Sequence, residues 1–263
     1  MIAGCAPDAV TAAEASAAIR TSGNVAATFP DVRMAAEASA AVTASGAQPA
    51  IMELMDAASL AAVHALLHLD APTRGAAQLT IQTDGAAAVA EAEAIAAVLR
   101  SCGGTVAVSH DREEGERLLA IRRSMHPAME TLGTTLIEDV SVPRSALPAM
   151  FDEIARVERE HGVVIPTVAH AGDGNLHPNF IFDAVPDDGG VVLVPDHIWA
   201  AADDLFRAAL RLGGTLTGEH GIGVLKRRWL VDELGEDQWE LQRQITRVFD
   251  PAGILNPGKV FAP

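Results

Sequence analysis

Cysteine is scarce. Only Cys5 and Cys102 occur in 263 residues. Two thiols make no disulfide framework and suit a reducing compartment, so each reads as a buried thiol in a cytoplasmic protein. Basic charge is short as well: 19 Lys and Arg stand against 35 Asp and Glu, for a formal net charge of −16. A nucleic-acid partner would require a basic face, so no nucleic-acid role is expected. No apolar run reaches the roughly 18 residues of a membrane helix. The first thirty residues show no basic stretch ahead of an apolar core, so no signal peptide is visible. Nor does any low-complexity linker divide the chain, which points to one domain.

What is present is ample core material. Hydrophobic residues make up 49% of the chain, enough for one large domain. Residues 1–24 form an alanine-rich, weakly amphipathic leader. Beyond it, β-branched and apolar runs alternate with helical patterns. Strands are expected over 24–30, 47–56, 77–85, 104–110, 134–143, 163–169 and 176–183. Helices are expected over 31–45, 59–67, 87–101, 113–131, 147–161, 196–212, 225–234 and 236–249, with Pro127 kinking or ending the fourth. Residues 183–190 read as a polar loop, the VVLVP that follows as a short apolar piece, and 250–261 as a turn-rich tail. Repeated βαβ-like units fit either a parallel doubly wound sheet or split units in an antiparallel one. The hairpin described next demands antiparallel pairing, so the expected fold is α+β with about seven strands.

Two short runs carry the chemistry. In HAGDGNLHPN (170–179), turn residues with Gly172 and Gly174 separate two strand-like segments. A hairpin closed there brings His170 and His177 within reach of one ion. Zinc sites of this kind add a carboxylate and leave a position open for water or substrate. GGTLTGEHGIG (213–223) supplies Glu219 as that carboxylate. His220 follows directly, projects elsewhere and is suited to act as a base. An ordinary irregular loop is the plain alternative for either run alone. Gly218–Gly223 is no dinucleotide fingerprint: the GxGxxG spacing is missing, and Glu219 would repel a pyrophosphate.

With their surroundings, HAGDGNLHPNF, GGTLTGEHGIGVLKRRWL and VFDPAGILNPGKVF resemble the carboxy-terminal portion of FAD-linked 2-hydroxyacid oxidoreductases. That family includes the glycolate oxidase FAD subunit, D-lactate dehydrogenase and D-2-hydroxyglutarate dehydrogenase. FPDVRMAAEASAAV and PAIMELMD match as well, so the resemblance covers residues 25–263. It implies a ferredoxin-like antiparallel sheet with helices mainly on one face, followed by carboxy-terminal helices. It implies a divalent metal, zinc or similar, on residues matching His170, His177 and Glu219, with His220 as the proton-abstracting base. Asn179 matches a substrate contact. Arg122 matches an arginine that pairs with the substrate carboxylate, although a solvated helix arginine is the plain reading of the same residue. Asn256 and Lys259 match a terminal segment packing near the flavin.

Two departures stand out. Some relatives place a substrate-contacting lysine in the strand over 134–143, where Ile137, Glu138 and Asp139 lie here. Nothing in residues 1–24 resembles the family's FAD-binding domain, so the expectation is a substrate half that needs a partner chain to supply FAD, or a truncated gene product. The expected activity is oxidation of a small D-2-hydroxyacid, with an electron-transfer partner at the periphery. A stand-alone metal-dependent hydrolase or lyase and a non-catalytic metal-binding remnant are the alternatives.

Overall fold

A computed structural model describes residues 23–184 and 193–261. Of the leader expected over residues 1–24, residues 1–22 lie outside the described residues, as do most of the polar loop and the start of the VVLVP piece, whereas Gly23 and Asn24 belong to the first strand.

Strand β1 (Gly23–Phe29) leads into helix α1 (Val32–Ala44). Then come β2 (Ile51–Met55), α2 (Ala57–Leu66), β3 (Ala77–Thr83), α3 (Ala88–Ser101) and β4 (Thr105–Ser109). Aspartates start three of the helices. Asp31 accepts the amide of Met34, and Asp56 that of Ser59. Asp111 accepts two amides at the head of α4 (Arg112–Arg123). Each cap satisfies a donor that the first helical turn leaves unpaired.

The helix expected over 113–131 breaks at Ser124, and α5 (Met125–Glu130) follows. The break precedes Pro127 because a proline lacks the amide hydrogen needed inside a helix. In the first turn that donor is not used, so the helix restarts around it. The strand expected over 134–143 is likewise interrupted, as β5 (Thr134–Ile137) and the two-residue β6 (Val140–Ser141). Both pair with β8 in one continuous register. Next come α6 (Leu147–His161), β7 (Thr167–His170), β8 (Asn175–Phe182) and α7 (Asp196–Arg211). The last helix, α8 (Leu230–Phe249), is divided at Gly235, where φ is 73° and ψ 162°. Residues 225–229, expected as helix, form turns instead, ending in a short 3-10 turn at Arg227–Trp229.

The sheet runs β4-β1-β3-β2-β7-β8-β5, with β6 also on β8. Every paired neighbour is antiparallel. The first four strands have the split β-α-β order of a ferredoxin-like unit. The β7–β8 hairpin and the short strands beyond it extend the sheet. This is the antiparallel α+β arrangement that the sequence implies.

Strand alternation then decides where the chemistry goes. Leu54, Ala169, Leu176 and Phe180 turn to the face covered by α1, α3, α6 and α7, where the larger core lies. Glu53, His170, His177 and Asn179 therefore turn to the other face. A smaller cluster covers part of that face, with Met55 and Val168 under Leu60 and Val63 of α2 and Met129 of α5. Helix α4 crosses it too, with Gly115 so close to Asn24 that a side chain there would collide. No helix among the described residues is long and apolar enough to cross a membrane.

Candidate active site

The hairpin forms as its residues require. Gly174 sits at φ +87°, a region costly for residues with a Cβ, and a Cβ there would also strike the Val142 carbonyl. Val168 pairs with His177, and His170 with Asn175. The two histidines are thus diagonal neighbours on one face of adjacent strands. Their rings meet edge to face, with centroids 5.1 Å apart.

Glu219 arrives from the loop after α7. Its Oε1 lies 3.1 Å from His177 Nε2 and 3.8 Å from His170 Nε2. One ligand atom from each of the three residues falls within 4.8 Å of the others. A tetrahedral ion with bonds near 2.0–2.2 Å sets its ligands roughly 3.5 Å apart, so the trio needs only small side-chain rotations to hold one. His220 stacks on His177, with centroids 5.0 Å apart and planes 21° from parallel. Its Nε2 is 3.8 Å from Glu219 Oε1. His220 and the Glu219 carboxylate therefore share one side of the site.

Glu53, absent from either motif, anchors the far side. Its Oε1 is 2.6 Å from His170 Nδ1, and its Oε2 accepts Arg122 Nε at 2.7 Å. Burial pushes the Glu53 carboxyl up, but the His170 hydrogen bond and the Arg122 charge outweigh it and hold the group below its usual range. The same hydrogen bond raises His170. Burial lowers His177, and the neighbouring His170 adds to that. A carboxylate can only accept, so the His170 proton sits on Nδ1 and its lone pair on Nε2, toward Glu219. That is the arrangement by which carboxylates orient metal-ligating histidines. His177 Nδ1 is buried without a hydrogen-bond partner, leaving Nε2 as the ring's polar outlet. The donor set therefore fits a divalent ion.

The Glu219–His220 loop is held from beneath. Asp139 Oδ2 accepts the Thr217 hydroxyl and the amides of Glu219 and His220. Buried Lys226 donates to the carbonyls of Asp139 and Leu216 and lies 3.5 Å from Glu138. The departure seen in the sequence at 137–139 thus resolves: Ile137 reaches the cavity, whereas Glu138 and Asp139 are buried against Lys226.

A cavity of about 250 Å³ opens before these groups, lined by Arg122, His170, His177, Asn179, Glu219 and His220. Ile137 and Met125 supply its apolar wall. Asn179 lines it with its amide nitrogen already committed to the carbonyls of Pro166 and His177. Asn256 and Lys259 lie outside it, in an exposed tail that returns to the site loop through Val260 N–H on Gly223. Sequence reasoning missed Glu53, Asp139 and Lys226. The one available signal was Glu53 itself, a lone charge inside the apolar strand IMELM.

The match to known proteins is extensive. A family model described as FAD linked oxidases, C-terminal domain, covers residues 20–260. The glycolate oxidase subunit GlcD of Bacillus subtilis (strain 168) is 35% identical over 219 residues, which is 81% of this chain and 45% of the relative. D-lactate dehydrogenase of Archaeoglobus fulgidus is 34% identical over 174 residues, 65% of this chain and 36% of that one. The chain thus spans less than half the length of these relatives. Among solved structures, p-cresol methylhydroxylase with substrate bound matches with a TM-score of 0.64 at 13% identity, over 93% of this chain and 53% of that one. At such low identity the likeness concerns the fold alone. The family match, running over nearly all of the sequence, shows that the chain belongs to the FAD-linked oxidases and carries their C-terminal domain.

Proposed function

We propose that this chain is the substrate- and metal-binding half of an FAD-linked oxidoreductase that oxidises a small D-2-hydroxyacid, of glycolate or D-lactate type, to the 2-oxoacid. The observation that carries the reading is convergence. Three candidate ligand atoms, an arginine and a further, more exposed histidine meet at one cavity sized for a small acid. Relatives whose names are glycolate oxidase and D-lactate dehydrogenase support the substrate class.

His170, His177 and Glu219 would hold a divalent ion, which supplies a Lewis acid for the substrate hydroxyl. FAD, bound mainly by an FAD-binding domain in the same or a partner chain, supplies the hydride acceptor. The residues of this chain do the rest. Arg122 binds the substrate carboxylate through guanidinium nitrogens that Glu53 leaves free. Asn179 fixes the acid's edge. As the Cα–H bond breaks and its electron pair leaves with the hydrogen, the hydroxyl proton passes to His220 Nε2. Ile137 and Met125 keep water from the reacting carbon. Asn256 and Lys259 are assigned to the flavin side. An electron-transfer partner at the periphery and a cytoplasmic location complete the proposal.

Calorimetric titration of the ion-free chain with Zn²⁺ and Mn²⁺ tests it. One ion per chain is expected, with loss of binding in His177→Ala, and glycolate or D-lactate should bind more tightly to the ion-loaded form. A chain that binds no ion, or that turns over a substrate without any electron acceptor, overturns the reading.

A further inference from the structure

Glu53 stands at the centre of β2, paired to Thr80 on one side and His170 on the other. Its side chain is only 12% exposed. Its two carboxylate oxygens serve two different groups. One takes the Nδ1 proton of His170 on β7, and the other takes the Nε proton of Arg122 on α4. Among the described residues, the remaining guanidinium nitrogens of Arg122 make no hydrogen bond, and Arg122 lines the cavity.

We propose that Glu53 is a positioning residue that couples ion binding at His170 to recognition of the substrate carboxylate by Arg122. The inference rests on the site reading given above. It concerns a residue that touches neither ion nor acid.

The physical argument is one of shared acceptors on a rigid support. A strand bonded on both sides leaves Glu53 little room to shift, so its oxygens fix the two donors relative to each other. An ion drawing on His170 Nε2 strengthens the Nδ1–H bond to Glu53. The same carboxylate then holds Arg122 in the orientation that presents its free nitrogens to a carboxylate. Coupling of this kind is reciprocal: bound acid must tighten the ion by the factor by which the ion tightens the acid. The ligand class follows. A 2-hydroxy or 2-oxo carboxylate engages both ends, whereas a simple monocarboxylate such as acetate engages one and senses the ion weakly.

The test uses the full chain with Co²⁺ as the ion, read by its visible absorption, and glycolate as the acid, read by calorimetry. In the wild type each ligand is expected to tighten the other by about tenfold. Glu53→Gln can accept only one of the two donors. It should weaken Co²⁺ by about 10- to 100-fold and lower the mutual enhancement to what direct contact between acid and ion supplies. Glu53→Asp keeps the charge, which favours folding, but is too short to reach both partners, and it should lower the enhancement too. A residue with only a structural role would lower the melting temperature and leave the enhancement intact. A folded variant of either kind with wild-type enhancement overturns the assignment of Glu53. A wild-type chain that binds neither Co²⁺ nor glycolate instead overturns the site reading on which it depends.

Discussion

The carboxylate of Asp139 accepts the backbone amide of His220 at 2.9 Å. The same oxygen takes the amide of Glu219 and the hydroxyl of Thr217. One buried acid thus shapes the loop that presents both Glu219 and His220, while Lys226 lies 3.8 Å from the same oxygen. Asp139→Ala removes the loop's anchor and strips a neighbour from a buried ammonium. Breaking a buried pair in this way costs about 3–5 kcal/mol. Urea denaturation measures the loss, and a cost under about 1 kcal/mol would mean that the loop is held by other contacts.

The two histidines nearest Glu219 should separate by function. His177 is nearly enclosed and offers only Nε2 to the trio, whereas His220 is far more exposed and stacks over it. His177→Ala is expected to abolish ion binding. His220→Ala is expected to retain the ion and to lower turnover of the complete enzyme by about 10²- to 10⁴-fold. Ion content by mass spectrometry, set beside turnover, checks both. Equal ion loss in the two variants would contradict the division of roles.

Local chemistry made much of this legible. The glycines of 170–179 announce the hairpin, and its period-2 alternation places both imidazoles on the face away from the main helical layer. The aspartate caps and the break at Gly235 are also local signals. What stayed hidden depends on distant pairing. Glu53 meets His170 across 117 positions, and Lys226 reaches the Asp139 carbonyl across 87. In the sequence, Glu138 and Asp139 stand only as a departure, beside the position where some relatives place a substrate-contacting lysine. Only the packing of Lys226 shows that they serve the loop. Pro127 signals a kink or an end in the sequence, and the break falls three residues earlier, at Ser124, where the helix can restart with proline in its first turn.

The hairpin turn offers a stability test. Gly174 has φ +87°, and an added Cβ would collide with the Val142 carbonyl, which is backbone and cannot swing aside. Gly162, which ends α6, has φ +65° with open space around the position. Gly162→Ala should cost about 1 kcal/mol, the conformational penalty alone. Gly174→Ala carries the collision as well, should cost at least about 2 kcal/mol, and should loosen the ion site. Thermal unfolding of both variants decides the matter, and equal costs would show that the turn relaxes freely.

Stability should also vary with pH in a direction set by Glu138. Burial pushes this carboxyl up to about 7 from 4.5, against the pull of Lys226. The folded state then holds the proton more tightly than the unfolded chain, so this contribution is full below 4.5 and is lost as the pH rises through about 7. Asp139 has the opposite sign. Burial would raise it, but the Thr217 hydroxyl, the His220 amide and Lys226 hold it at about 2, below 3.8. Its contribution is present above 3.8 and disappears as the pH falls through about 2. The physical reason is burial: the Glu138 carboxylate is shut away from water, and the neighbouring Asp139 charge adds a smaller push in the same direction. Between about pH 4.5 and about pH 7 the melting temperature should therefore fall. Glu138→Gln, which keeps shape and loses the charge, should flatten that limb and raise the melting temperature near pH 8 by about 2–4 °C. The acid limb, which belongs to Asp139, should persist. A variant that keeps the full alkaline slope would assign the proton to another group.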